Sequence, residues 1–313
     1  MATLTLLGGA CAAGDEAADA PSSTSSIDAA ATPAATTVRA LAGRPADLAY
    51  ADGVLWVVED ETGAVQRFDA ATGAPLGGPV LVAGAPASVA VGGGTIWLAD
   101  AVGALTRIDA ASATVVGPPI PVGRSLVDVV VDGDAIWVVD IGLGSVRRLD
   151  GQGATIWETQ VPGGAVRAVT AGDRLWVSGI EDTVVALGLA TGQVLGAPVR
   201  VGAGPIGMAA SPEVLWVANS DDDTVSRLDP VTGVPLGPAV AVGGAPIAVA
   251  VDGDVVWVLA QDGRALTRLD AGTGRRLSPD VTLPLRPRSF AVTPAGVWVI
   301  GVDLPSAVLV PRS

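Results

Sequence analysis

The chain has 313 residues, 50 % apolar and 16 % charged, with a formal net charge of −14 at pH 7. That charge repels a polyanion such as DNA or RNA and denies it counterion release, so nucleic acid is not expected as a partner. All 18 basic residues are Arg, His is absent and Cys occurs once, which removes the commonest general base, the commonest zinc ligand and any intrachain disulfide framework.

In chain order, residues 1–11 come first. Leu4 to Ala10 is a short apolar stretch that ends in small residues before Cys11. It resembles the lipobox of bacterial lipoproteins, with Gly8 where Leu is usual and no basic segment ahead of it. The resemblance implies a lipid on Cys11 and an extracytoplasmic protein that meets the membrane only through that anchor. Residues 12–36 are Ala, Ser, Thr, Pro, Gly and acidic residues, with Ile27 their one large apolar side chain. Such a segment cannot bury enough surface to offset its ordering entropy and is expected to be a disordered tether.

Residues 37–313 are periodic. Trp recurs at 56, 97, 137, 176, 216, 257 and 298, at intervals of 39–41 residues. Eleven residues earlier stands Pro45, Pro86, Pro205, Pro246 or Pro287, with Leu126 and Ala165 in the third and fourth units. After the Trp come Arg-x-Asp pairs ending at Asp69, Asp109, Asp150, Asp229 and Asp270, and the fourth unit has Ala186 and Gly188 instead. Within the unit from Pro205 to Gly243, Ile206–Ala210 and Val214–Ala218 are short apolar strands around a Ser-Pro-Glu turn. Thr224–Asp229 alternates in the strand manner, Pro230-Val231-Thr232-Gly233 turns the chain, and Ala239–Val242 completes four strands. Four short strands in about forty residues, without a sustained helical period, specify an all-β, seven-bladed β-propeller.

Leu215-Trp216-Val217-Ala218-Asn219, Asp223-Thr224-Val225 and Asp229-Pro230-Val231-Thr232-Gly233 resemble the YVTN-type β-propeller repeat, a WD-like repeat, with Trp in place of the motif's Tyr. The resemblance covers residues 37–313 and concerns blade-building residues, so it implies a fold and no activity. The last unit is one strand short, and Val38–Ala42 before Gly43-Arg44-Pro45 matches Val80–Ala83 before Gly84-Ala85-Pro86. One N-terminal strand and three C-terminal strands are therefore expected to close the seventh blade, leaving no open edge.

The Trp column reads as packing between sheets, the Asp-x-x-Thr-Gly motif as a self-capped turn, and the Arg-x-Asp pairs as solvent-exposed structural contacts. Trp157, outside the column, reads as cover for an outer edge. Binding is expected on the face carrying the more variable loops between second and third strands, here called the top. Three residues past the Trp lie Glu59, Asp100 and Asp140, an acidic arc that Asp47 and Asp128 would extend. Carboxylates converging on a channel mouth would be relieved by Ca²⁺ or a cationic ligand, with Arg124 and Arg288 orienting any anionic part. No other cofactor is expected.

The composition and repeat fit a non-catalytic extracytoplasmic binding or scaffolding module for a protein or small-molecule ligand. Alternatives are a carboxylate- or metal-dependent hydrolase, lactonase or lyase at the top of the central channel, or a structural envelope component. Propellers resembling virginiamycin B lyase share seven blades and Trp-bearing repeats, but their chemistry depends on His.

Overall fold

The computed structural model describes residues 37–312, so Cys11, the segment 1–11 and the expected tether 12–36 lie outside the described residues. Within it the chain forms seven antiparallel sheets, six of four strands and one of five. Each blade runs outward from an inner strand, as in Pro45–Ala51, Val54–Glu59, Ala64–Asp69 and Val80–Leu81 of blade 1. Neighbouring inner strands touch one another all the way round, blade 7 against blade 1 included, so the ring is closed. Blade 2 is the five-stranded exception: Thr114–Val115 pairs beside its third strand in addition to Ile120–Pro121.

The second strands are near-continuous apolar runs because a blade is covered on both faces. Leu55, Trp56, Val57 and Val58 are 1, 2, 0 and 0 % exposed. The core consists of seven hydrophobic clusters, each built from two adjacent blades, and in each the column Trp of one blade packs on the second strand of the next.

The Trp residues fall into two classes. Trp56, Trp97, Trp137, Trp216 and Trp257 lie under Arg67, Arg107, Arg148, Arg227 and Arg268, with guanidinium carbons 5.2–6.0 Å from the ring centroids. Each such Arg stands directly opposite its Trp on the third strand. Arg227 also donates to Thr273 O and Gly272 O in the bottom turn of blade 6, both at 2.6 Å. Ala186 and Leu309 take the Arg place in blades 4 and 7. There the indole N–H itself reaches the next blade: Trp176 donates to Pro230 O and Trp298 to Ala70 O, both at 2.8 Å. The Arg of the Arg-x-Asp pair is thus half-buried over the Trp of its own blade, and in blade 5 it also reaches the next blade, so it is not the solvent-exposed contact expected from sequence.

The Asp of the pair does cap its own turn. Asp69 Oδ1 accepts from the Thr72 amide at 2.8 Å and hydroxyl at 2.7 Å, and Asp109, Asp229 and Asp270 repeat the motif on Ser112, Thr232 and Thr273. Trp157 is another departure from expectation. Rather than covering an edge, it is half-buried against blade 4, its indole N–H donating to Leu189 O at 3.3 Å.

Closure follows the expected topology. Thr37–Ala40 pairs antiparallel with Ser306–Val310, with Thr37 opposite Leu309. The strand ends two residues earlier than expected, because the Leu41 amide turns to Pro305 O at 2.7 Å and the Ala42 amide to Glu59 Oε1 at 3.1 Å.

Candidate functional site

Where the inner strands approach the axis, six of the seven carry a register shift, starting from Pro45, Pro86, Leu126, Pro205, Pro246 or Pro287. A bulge re-aims the side chain that follows it. Two residues after the Pro column stand Asp47, Ser88, Asp128, Arg167, Gly207, Ala248 and Ser289, one from each blade in order. All but the buried Ser88 line a cavity of about 220 Å³ at the top of the channel, as do Met208, Ile247 and Arg288. Gly207 is required here by packing: a Cβ would lie 2.5 Å from Ile247 O and 2.6 Å from Ala248 Cα.

The ring is polar over five blades and apolar over two. Asp47 Oδ1 accepts from the Ser289 hydroxyl of blade 7 at 2.7 Å and from the Leu48 amide at 2.9 Å. Its Oδ2 accepts from the Val89 amide of blade 2 at 3.1 Å. Asp128 Oδ1 receives the Ser88 hydroxyl at 3.4 Å, and Oδ2 the Ala168 amide of blade 4 at 2.9 Å. The two cations bracket this band. Arg288 Nε donates to Ala46 O at 2.8 Å, and Arg167 Nη1 donates to Val127 O while lying 3.8 Å from Asp128 Oδ1. The result has an approximate mirror through blade 2: an Asp on either side, an Arg beyond each, and each Arg bonded to the carbonyl just before its Asp. Blades 5 and 6 complete the ring with Gly207, Met208, Ile247 and Ala248.

Burial pushes the Asp128 carboxyl up; the Arg167 charge and the Ala168 amide pull it down, the Asp47 charge pushes it up again, and it stands at about 6. Its side chain is 14 % exposed, close enough to the mouth to meet a ligand.

The structure separates the residues singled out from sequence into two groups. Asp47, Asp128 and Arg288 line the cavity. Glu59, Asp100 and Asp140 do not converge on it; they are 0, 5 and 1 % exposed, each enclosed by its own loops. Glu59 accepts from the Ala42 amide, Thr62 and Gln66; Asp100 Oδ1 accepts from the Val102 and Ala104 amides at 3.0 and 2.8 Å. Asp140 accepts from the amides of Arg124, Ser125 and Leu143 at 2.6, 3.2 and 3.1 Å. Arg124 contributes that amide, and its side chain is exposed outside the cavity lining. Among the described residues no three acidic, His or Cys side chains gather as a metal set. Sequence reasoning missed Arg167, Ser88 and Ser289. Reading down the position two after the Pro column would have found them.

A larger hollow of about 550 Å³ lies on the opposite face, beneath blades 1 and 2, lined by Ala51, Val54, Val91 and Gly92–Gly94. Of its carboxylates, Asp109 is already committed to its turn. The channel mouth is therefore the better candidate.

Fold and site together define a closed seven-bladed β-propeller with a charge-balanced channel mouth. No protein-family model matches the chain, and no curated protein matches it. Among solved structures it is similar to virginiamycin B lyase from Staphylococcus aureus, with a TM-score of 0.75 at 12 % identity over 88 % of this chain and 99 % of that one. It is similar also to a streptogramin B lyase, at 0.74 and 14 % over 88 % and 98 %. The WD40 β-propeller domain of Doa1 gives 0.73 and 13 % over 90 % and 97 %. Identities this low establish the shared fold.

Proposed function

We propose that the chain is a non-catalytic binding module of the YVTN-type propeller kind, held outside the cell membrane by a lipid on Cys11, with its ligand at the top of the channel. The observation that carries this is the channel ring: two carboxylates and two guanidiniums fixed by backbone groups around a small cavity on a rigid frame. Rigid side chains that keep spare hydrogen-bonding capacity are what a binding site needs. A net charge of −14 disfavours nucleic acid, leaving a small molecule or a protein as partner.

Native mass spectrometry of the protein taken from its own cell envelope tests the reading. A bound molecule present on the wild type and lost from an Asp128→Asn, Arg167→Gln double variant supports it; the same mass spectrum for both removes the channel from consideration. Cys11→Ser should shift the protein from the membrane to the soluble fraction, and unchanged membrane association would refute the anchor. A second reading, a carboxylate-dependent lyase or hydrolase, is favoured by one observation: a carboxyl poised at about 6 in a cleft is suited to general acid–base work.

A further inference from the structure

The polar band and the apolar arc face each other across one small cavity, and together they narrow the ligand. The lining carries two Asp and two Arg, so its formal charge cancels. A ligand with net charge would leave an uncompensated charge in a partly desolvated site, whereas one carrying both signs would not.

The free hydrogen-bonding capacity points the same way. A carboxylate has about four acceptor sites. Oδ2 of Asp47 and Oδ2 of Asp128 each receive one amide, leaving acceptor capacity on both. Arg167 spends Nη1 on Val127 O, and no acceptor among the described residues bonds its Nε–Nη2 edge. That edge is the bidentate face a guanidinium offers a carboxylate. Arg288 is less available, with Nε on Ala46 O and Nη2 3.8 Å from Asp60.

Size sets the remaining limit. The cavity is small, about 220 Å³, and open on one side, so it admits a small molecule and no bulky one. Met208 and Ile247 wall one side of it with apolar surface.

Resting on the reading of this mouth as a binding site, we propose that it seats a free aliphatic α-amino acid. Its ammonium lies against Asp47 and Asp128, its carboxylate on the Nε–Nη2 edge of Arg167, and its side chain on Met208 and Ile247. The ammonium relieves the repulsion between the two carboxylates, and the apolar arc selects an aliphatic side chain over a polar one.

The test is calorimetric titration of the whole protein with L-valine, N-acetyl-L-valine and L-valinamide, which share a side chain and lack, respectively, nothing, the ammonium and the carboxylate. L-Valine should bind, and each of the other two should be weaker by about tenfold or more, the scale of one lost hydrogen bond to a charged group. N-acetyl-L-valine or L-valinamide binding as tightly as L-valine overturns the proposal, as does the absence of heat and of a thermal shift with L-alanine, L-valine and L-leucine alike. Asp128→Asn with Arg167→Gln should abolish L-valine binding. Ile247→Trp, which fills the cavity from its apolar side and leaves both charge pairs intact, should abolish it too, and L-valine binding to a folded form of either variant at wild-type affinity overturns the assignment. Recovery from the envelope protein of a channel-dependent ligand that is not an amino acid overturns this proposal and leaves the broader reading standing. Failure of both experiments removes both.

Discussion

Replacing Trp298 and Trp257 by Phe, one at a time, contrasts a column Trp that hydrogen-bonds the next blade with one that lies under an Arg of its own blade. Both indoles are almost fully buried, at 1 and 2 % exposure, so both substitutions leave a similar void, costing about 1–3 kcal/mol. Trp298 donates to Ala70 O at 2.8 Å, and Trp298→Phe strands that buried carbonyl, adding about 1–3 kcal/mol. Trp257 Nε1 is buried without a partner, so Trp257→Phe removes a group that was already unsatisfied, at the loss of some attraction to Arg268 above the ring, about 0.5–1 kcal/mol. Trp298→Phe should therefore be the more destabilising by about 1 kcal/mol. At about 2–4 °C per kcal/mol for a domain of this size, its Tm should lie roughly 2–4 °C below that of Trp257→Phe. Urea unfolding and differential scanning calorimetry on both variants read the difference directly. Equal losses, or the reverse order, would refute the division into indole-bonded and Arg-covered Trp residues.

Three further outcomes are expected. Gly73→Ala puts a Cβ 2.7 Å from the Trp298 ring at a residue with φ of 67°, so it should destabilise by about 2 kcal/mol or more, whereas Gly53→Ala, also at positive φ but in open space, should cost only its backbone strain, which calorimetry will show as a smaller Tm loss. Asp140→Ala leaves the Arg124, Ser125 and Leu143 amides without their acceptor and should cost about 2–4 kcal/mol in urea unfolding, with Asp140→Asn recovering part of it. Stability should also peak in mildly acidic solution. The Asp128 carboxyl stands at about 6, above its unfolded value, so the advantage of its protonated form is lost as pH rises through 6; hydrogen bonds hold Asp69, Asp109, Asp150, Asp229 and Asp270 below 3.8, so their contribution is present above that value and lost as pH falls below it. Tm measured against pH should show both limbs, and Asp128→Asn should flatten the one near 6 and spare the acid one; an unchanged limb near 6 would contradict the assignment.

The propeller was legible because every inter-blade contact poses the same packing problem, and the chain solves it with the same residue each time. The Trp column and the Pro column are direct records of that repetition. The exchange of roles between Arg and indole was not legible, although Ala186 and Leu309 mark where it happens, because it depends on which donor reaches a carbonyl in the next blade. The channel mouth was half legible for the opposite reason. Its seven positions hold Asp, Ser, Asp, Arg, Gly, Ala and Ser, so no repetition announces them, and Asp47 and Asp128 stood out only by charge. The acidic column at Glu59, Asp100 and Asp140 misled because alternation along a strand says nothing about what the blade-to-blade crossing brings over it. Gly84 and Gly123 let that crossing come so close that a Cβ would sit 2.5 Å from the Asp100 and Asp140 carboxylates. Backbone amides can then surround each acid and take it out of the channel.

The hybrid seventh blade also has a consequence for the order of events during synthesis. Thr37–Ala40 leaves the ribosome before any complete blade, and its partner Ser306–Val310 leaves after nearly all of the propeller has been made. The first strand must therefore wait, unpaired, while six blades assemble in sequence, and the ring locks only when a translation product reaches its last strand. A product cut short by even the final few residues of that strand keeps an open seam and two exposed strand edges, the features by which quality-control proteases and chaperones recognise unfinished work.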